Sequence, residues 1–142
     1  EPRPDLRIRR QGSSVVKGDG IRNATGVGQT VGGSATRGGF FGFVVGVRND
    51  APFTDSFVLS GIGSNARFKV DYFAGADPVT DEVVAGTYRT PPAAPDATFN
   101  RRVRVKARSG PPAGAARTGT VTARSATVTA DLDTVGFISR VR

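Results

Sequence analysis

The chain has 142 residues, with 20 Lys+Arg against 12 Asp+Glu, a formal net charge of +8. It contains no His, Cys, Met or Trp. Those absences exclude a disulfide, a thiolate metal site, an iron–sulfur cluster, a thiol nucleophile, a Ser-His-Asp triad and a His-ligated zinc. Most enzyme classes are thereby closed, and no cofactor is expected.

A chain of this length supports one domain over residues 1–142, burying roughly 68–70% of its unfolded surface. No apolar run approaches the length of a membrane-spanning helix, so no membrane insertion is expected. The opening Glu1-Pro2-Arg3-Pro4-Asp5 has no apolar leader and no initiator Met, which fits a mature product or an excised fragment. Charge is uneven. Residues 1–95 hold 11 basic and 9 acidic groups, and residues 96–142 hold 9 and 3. Such a balance points to a polyanion partner. The Arg-, Ala-, Gly- and Pro-rich composition is also what a GC-rich genome writes without any function attached.

Helix periodicity is nearly absent, while period-2 alternation recurs with turn residues between the runs. Leu6 and Ile8 alternate with Arg7 and Arg9 in a first short strand. Residues 1–39 form a Gly-rich amino-terminal extension with one or two strands, the second a weak one near Gln29–Arg37. Phe40–Arg48 is the strongest strand, with Phe41, Phe43, Val45 and Val47 on one face. Phe40 and Val44 keep its second face partly apolar, so that face is expected to be covered. Strands follow at Asp55–Ser60 and Phe68–Tyr72, then a segment of undecided type at Val79–Ala85. The run from Phe99 to Arg108 puts Val103, Val105 and Ala107 opposite Arg102, Arg104, Lys106 and Arg108. A Thr/Val-rich strand spans Thr118–Thr129, Asp131-Leu132-Asp133 reads as a turn, and Val135–Val141 closes the chain. The whole reads as an all-β sandwich.

From Phe40 onward the chain resembles the Ig-like, CARDB-like or fibronectin-type modules of bacterial secreted and cell-surface proteins. The resemblance rests on Gly39-Phe40-Phe41-Gly42-Phe43-Val44-Val45-Gly46-Val47-Arg48-Asn49-Asp50 and on Asp55-Ser56-Phe57-Val58-Leu59-Ser60-Gly61. It continues through Phe68-Lys69-Val70-Asp71-Tyr72-Phe73, Ala94-Pro95-Asp96-Ala97-Thr98 and Thr120-Val121-Thr122-Ala123-Arg124-Ser125. It covers about two thirds of the chain and specifies fold better than function. Asp96 departs from the pattern, which usually has Gly there. The resemblance implies a single Ig-like antiparallel β-sandwich of seven to nine strands. It further implies an extracellular or cell-surface location and a non-enzymatic structural role, as a self-assembling filament subunit or a spacer among neighbouring modules.

Candidate sites are few. Arg102, Arg104, Lys106 and Arg108 project from one strand face at about 6.6–7 Å spacing, a ladder suited to anionic polymers, acidic glycans or nucleic acid. The competing reading is a charged edge strand kept from aggregating. Arg7, Arg9, Arg140 and Arg142 extend the ladder if the terminal strands pair nearby. The terminal strands, through Leu6, Ile8, Val135, Phe137 and Val141, are candidates for strand exchange with a neighbouring copy. Asp77, Asp81 and Glu82, and separately Asp131 and Asp133, lack the spacing of a calcium loop and read as solvated turns, so no metal is expected. Asn23-Ala24-Thr25 matches the N-glycosylation pattern, which arises often by chance.

Overall fold

The structure, a computed structural model, describes residues 3–142; Glu1 and Pro2, part of the opening stretch read above, lie outside the described residues. In chain order the elements are β1 (Pro4–Arg10), β2 (Thr30–Ala35), β3 (Phe40–Asn49), β4 (Phe57–Gly61), β5 (Phe68–Ala74), β6 (Asp77–Pro78), α1 (Thr80–Ala85), β7 (Tyr88–Arg89), β8 (Thr98–Ala107), β9 (Ala116–Ser125) and β10 (Leu132–Val141). A front sheet is ordered β1-β3-β8-β5-β6 and a back sheet β2-β10-β9-β4-β7. Every strand pair is antiparallel except β2 with β10, which is parallel. The amino-terminal passage thus serves both layers, with β1 at the edge of the front sheet and β2 at the edge of the back sheet.

Alternating residues build the core as the sequence pattern requires. Phe43, Val45 and Val47 of β3 and Val103, Val105 and Ala107 of β8 are buried against Phe57, Leu59, Val121, Val135 and Phe137 of the back sheet. Phe43 and Phe137 meet across the layers with ring centroids 5.1 Å apart. Burying a side chain of that size contributes about 1.5–3 kcal/mol.

The weak strand expected near Gln29–Arg37 is present as the paired strand β2, and three other local readings are completed or corrected. A Cβ on Gly33 would lie 2.6 Å from the Phe41 ring and 3.1 Å from that of Phe43, so the glycine there makes room for aromatic rings. The undecided segment is a single-turn helix, too short for periodicity to reveal. It is held by buried Val83 and closed by Gly86 in the left-handed region at φ 74°. Of the supposed turn at Asp131–Asp133, only Asp131 closes a turn, through its N–H to the Val128 carbonyl, while Leu132 and the wholly buried Asp133 begin β10. Finally, no second layer covers the outer face of β3. Phe40 is 68% exposed, and the side chains of Gln11 and Asn100 lie over Gly42 and Gly46.

The edge strand β1 is fastened by a buried carboxylate from the other sheet. Asp133 accepts the Leu6 N–H at 2.7 Å on one oxygen. Its other oxygen accepts the Gln29 side-chain amide at 2.7 Å, the Asn23 N–H at 3.0 Å and the Thr134 N–H at 2.9 Å. Burial raises the Asp133 carboxyl above its ordinary range, and these four N–H donors act against that rise. Asn23 in turn accepts the Gly26 N–H at 2.7 Å and donates to the Val27 carbonyl at 2.8 Å, so its side chain is occupied in shaping the loop. Asp5, also buried, is less well served. One oxygen accepts the Gly20 N–H at 3.2 Å, and the other has no hydrogen-bond partner among the described residues. Burial pushes its carboxyl up to about 6, helped by the nearby Asp50 and Asp133 carboxylates and opposed by the Gly20 N–H and Arg7.

A raised carboxyl makes the folded state hold its proton to higher pH than the unfolded chain does. Stability from Asp5 is therefore complete below about pH 4, the unfolded value, and is lost as pH rises towards about 6. The thermal midpoint is expected to be higher at pH 5 than at pH 7, and Asp5→Asn should flatten that slope and stabilise the protein at pH 7 by roughly 1–2 kcal/mol. A wild-type midpoint that is flat or lower at pH 5 would contradict this. A second expectation concerns Asp96, the one non-glycine among the described residues with positive φ, at 66°. It stands in a region that costs non-glycine residues about 1–2 kcal/mol. Its exposed pair with Arg48, 3.0 Å away, offsets little of that. Asp96→Gly should raise stability by about 1 kcal/mol in urea unfolding; a destabilised variant would show that the Arg48 pair outweighs the strain.

Candidate functional site

The basic row lies on β8, in the middle of the front sheet between β3 and β5. Its central place removes edge protection as its reason. Arg104 and Lys106 are exposed and Arg102 is half-buried, while Val103, Val105 and Ala107 face the core. Arg108 leaves the row one residue beyond the strand, where its Nε donates to the Asn65 carbonyl at 2.9 Å.

Register decides what surrounds each cation. Arg102 lies between Val44 and Phe73, Arg104 between Gly42 and Asp71, and Lys106 between Phe40 and Lys69. The Arg102 guanidinium sits 4.7 Å from the Phe73 ring centroid, and that of Arg104 lies 5.0 Å from Phe73 and 5.9 Å from Phe40. These cation–π contacts hold the planar heads over the sheet. Asp71 approaches Arg104 at 3.5 Å and Lys69 at 3.8 Å. The Nε of Arg102 is buried with no hydrogen-bond partner among the described residues.

Beside this row a trough of about 760 Å³ opens where β1 and β10 end. Arg102 and Arg104 reach it from β8, Arg10 from the end of β1, and Arg142 from just beyond β10. Among the described residues no Asp or Glu lines it. Gly42 supplies floor space, and Gln11 lies across it so closely that a Cβ on Gly42 would collide with the amide.

Of the other arginines considered from sequence, Arg7 and Arg9 do fall on the strand beside β3. Arg7 is answered by Asp19 at 2.8 Å, and Arg9 donates to the Ser13 carbonyl at 3.4 Å. Arg140 is exposed on β10 of the back sheet, apart from the row. Sequence reasoning missed Arg10, Gln11 and the open ring of Phe40. Only the β1–β3 register and the close of β10 bring them together, and neither is written in local periodicity.

The strand-exchange candidates are buried. Leu6, Ile8, Val135 and Phe137 are 0% exposed and Val141 is 2% exposed, all within this chain's own core. β10 is paired on both sides, by β2 and β9. The outward edge of β1 is also occupied: Pro4 has no N–H, Leu6 donates to Asp133, and Ile8 exchanges two backbone bonds with Lys17 at 2.9 Å. Asp77, Asp81 and Glu82 are exposed, and no metal-ligating cluster of three forms among the described residues. No described helix is long and apolar enough to cross a membrane.

No family model and no curated protein matches the chain. Solved structures do match in fold. A FixG-related protein from Vibrio parahaemolyticus is similar at a TM-score of 0.54 and 10% identity, over 98% of this chain and 96% of that one. The N-terminal domain of PorA is similar at 0.54 and 12%, over 96% and 97%. Part of a family 123 glycoside hydrolase from Clostridium perfringens is similar at 0.52 and 10%, over 80% of this chain and 23% of that one. At these identities the likeness is one of architecture, and the chain is an all-β protein with an Ig-like sandwich fold.

Proposed function

We propose that the chain is a non-enzymatic structural module of an extracellular or cell-surface protein, a spacer that transmits tension between its neighbours. The supporting observation is the course of its two terminal strands. Leu6 near the start of β1 is bonded to Asp133 near the start of β10, and Arg10 and Arg142 at their far ends line one trough. The two strands therefore run in the same sense, from one pole of the sandwich to the other. Tension applied through them acts along β1 against β3, and along β10 against β2 and β9. Ladder hydrogen bonds lie across the strands, so such a pull loads them together instead of peeling them in turn.

Strand exchange is the weaker form of this reading, because it takes Leu6 and Ile8 out of the core. The buried carboxylates support a structural role too. Asp133 is occupied by four N–H donors, and Asp55 by Ser125, Thr127 and the Ser56 N–H.

The test is single-molecule pulling. The chain has no Cys, so Arg3→Cys with Arg142→Cys gives two unique handles. Tension between them should produce one unfolding event at a force well above that for handles at Arg3→Cys and Asp50→Cys, which peel β1 from β3. Equal or lower force from pole to pole would overturn the spacer reading.

A further inference from the structure

A spacer has no use for the trough where β1 and β10 end. We propose that this trough binds an acidic polysaccharide, with Arg10, Arg102, Arg104 and Arg142 holding its sulfate or carboxylate groups and a sugar ring laid on Phe40. The proposal is independent of the spacer reading.

The first argument is charge. Four arginines, Arg10 from β1, Arg102 and Arg104 from β8 and Arg142 from just beyond β10, line one open space that has no Asp or Glu in its described lining. Like charges held together oppose compact folding, and a bound anion relieves that opposition. Arg10 and Arg142 are exposed, and their side chains make no hydrogen bond or ion pair among the described residues. Arg104 keeps most of its donors free of Asp71, and the Nε of Arg102 is unanswered. The guanidinium fork matches sulfate and carboxylate geometry.

The second argument is the rest of the lining. Gln11 contributes an amide, and Ser13 and Ser34 contribute hydroxyls. Such groups serve the many hydroxyls of a sugar better than a bare anion. Phe40 stands at the rim with a large open face. The trough is broad and open, as a segment of polymer requires.

The third argument separates a glycan from a nucleic acid. Single strands are held by successive aromatic platforms along a groove. Here the Phe73 ring is taken by Arg102 and Arg104, and Phe41 packs edge-on against Phe43 at 5.6 Å. That leaves Phe40, which meets Arg104 at 5.9 Å and is otherwise exposed, as the one platform of the trough, enough for one sugar ring and too little for a run of bases.

The test is calorimetric titration at low salt with three probes: a heparin hexasaccharide, a hexamer of polygalacturonate and a short oligothymidylate. At least one glycan should bind, more tightly than the oligothymidylate and more weakly as salt is added. Arg10→Ala with Arg142→Ala should weaken glycan binding at least about tenfold. Phe40→Ala should weaken it severalfold without changing its salt dependence. The charge-matched pair Arg89→Ala with Arg140→Ala, away from the trough, should leave affinity within about twofold. In the wild-type protein the amide resonances of Gln11 and Gly42 should shift as glycan is added, a readout that survives if a variant fails to fold. Absence of glycan binding, equal losses from the two arginine pairs, tighter binding of oligothymidylate, or resonance shifts elsewhere would each overturn the proposal.

Discussion

The structure depends on one buried carboxylate. Asp133 belongs to β10 in the back sheet, yet it holds the Leu6 N–H of β1 in the front sheet and the Gln29 amide and Asn23 N–H of the loop between β1 and β2. An amino-terminal strand at a sheet edge has little to keep it in place beyond one ladder. Here a single acceptor ties the edge strand, the crossing loop and an interior strand of the other sheet together. A buried donor left without its acceptor costs about 1–3 kcal/mol, so the cost of breaking this cluster is shared by all its donors. Gln29 is fully buried for the same reason, its amide placed to reach Asp133.

The same fastening settles which surfaces are free. Pro4 has no N–H, and Leu6 and Ile8 have their outward N–H groups answered, which blunts the edge that a neighbouring strand would otherwise extend. The broad outer face of the front sheet carries cations in place of a second apolar layer. Two different uses of small residues make that face. Gly33 lets β2 close over Phe41, and Gly42 lowers the floor beside Arg104 so that Gln11 lies across it. The aromatic rings of Phe73 and Phe40 orient the arginines above the sheet.

Much of the fold is legible in the sequence because strands reveal themselves by alternation. The faces of β3 and β8 follow directly from Phe43-x-Val45-x-Val47 and Val103-x-Val105-x-Ala107. The left-handed turn at Asp96 is legible only against a family pattern, since Asp by itself does not demand positive φ. What resists reading is whatever depends on partners distant in sequence. Asp131-Leu132-Asp133 looks like a turn because two aspartates flank a lone leucine; Asp133 is buried only because Leu6, Asn23 and Gln29 supply donors from more than a hundred residues away. Gly32-Gly33 makes β2 look weak for the same reason, the rings that require Gly33 lying on another strand. At the site, Arg102 and Arg104 are legible from spacing. Arg142 is legible only on the condition that the terminal strands come near the row, and Arg10 is not legible at all, because only the common direction of β1 and β10 gathers them.

Among the described residues, Leu6 is where the whole account is most exposed to test. Its N–H faces away from β3 and has only the Asp133 carboxylate for protection. Amide hydrogen exchange by NMR on the native protein reads this directly. The account predicts that the Leu6 amide exchanges as slowly as interior amides such as Val45 and Val103, opening only with global unfolding. A Leu6 amide exchanging as fast as those of exposed loops such as Gly110 would show that the carboxylate does not hold the edge strand, and the structural argument built on it would fall.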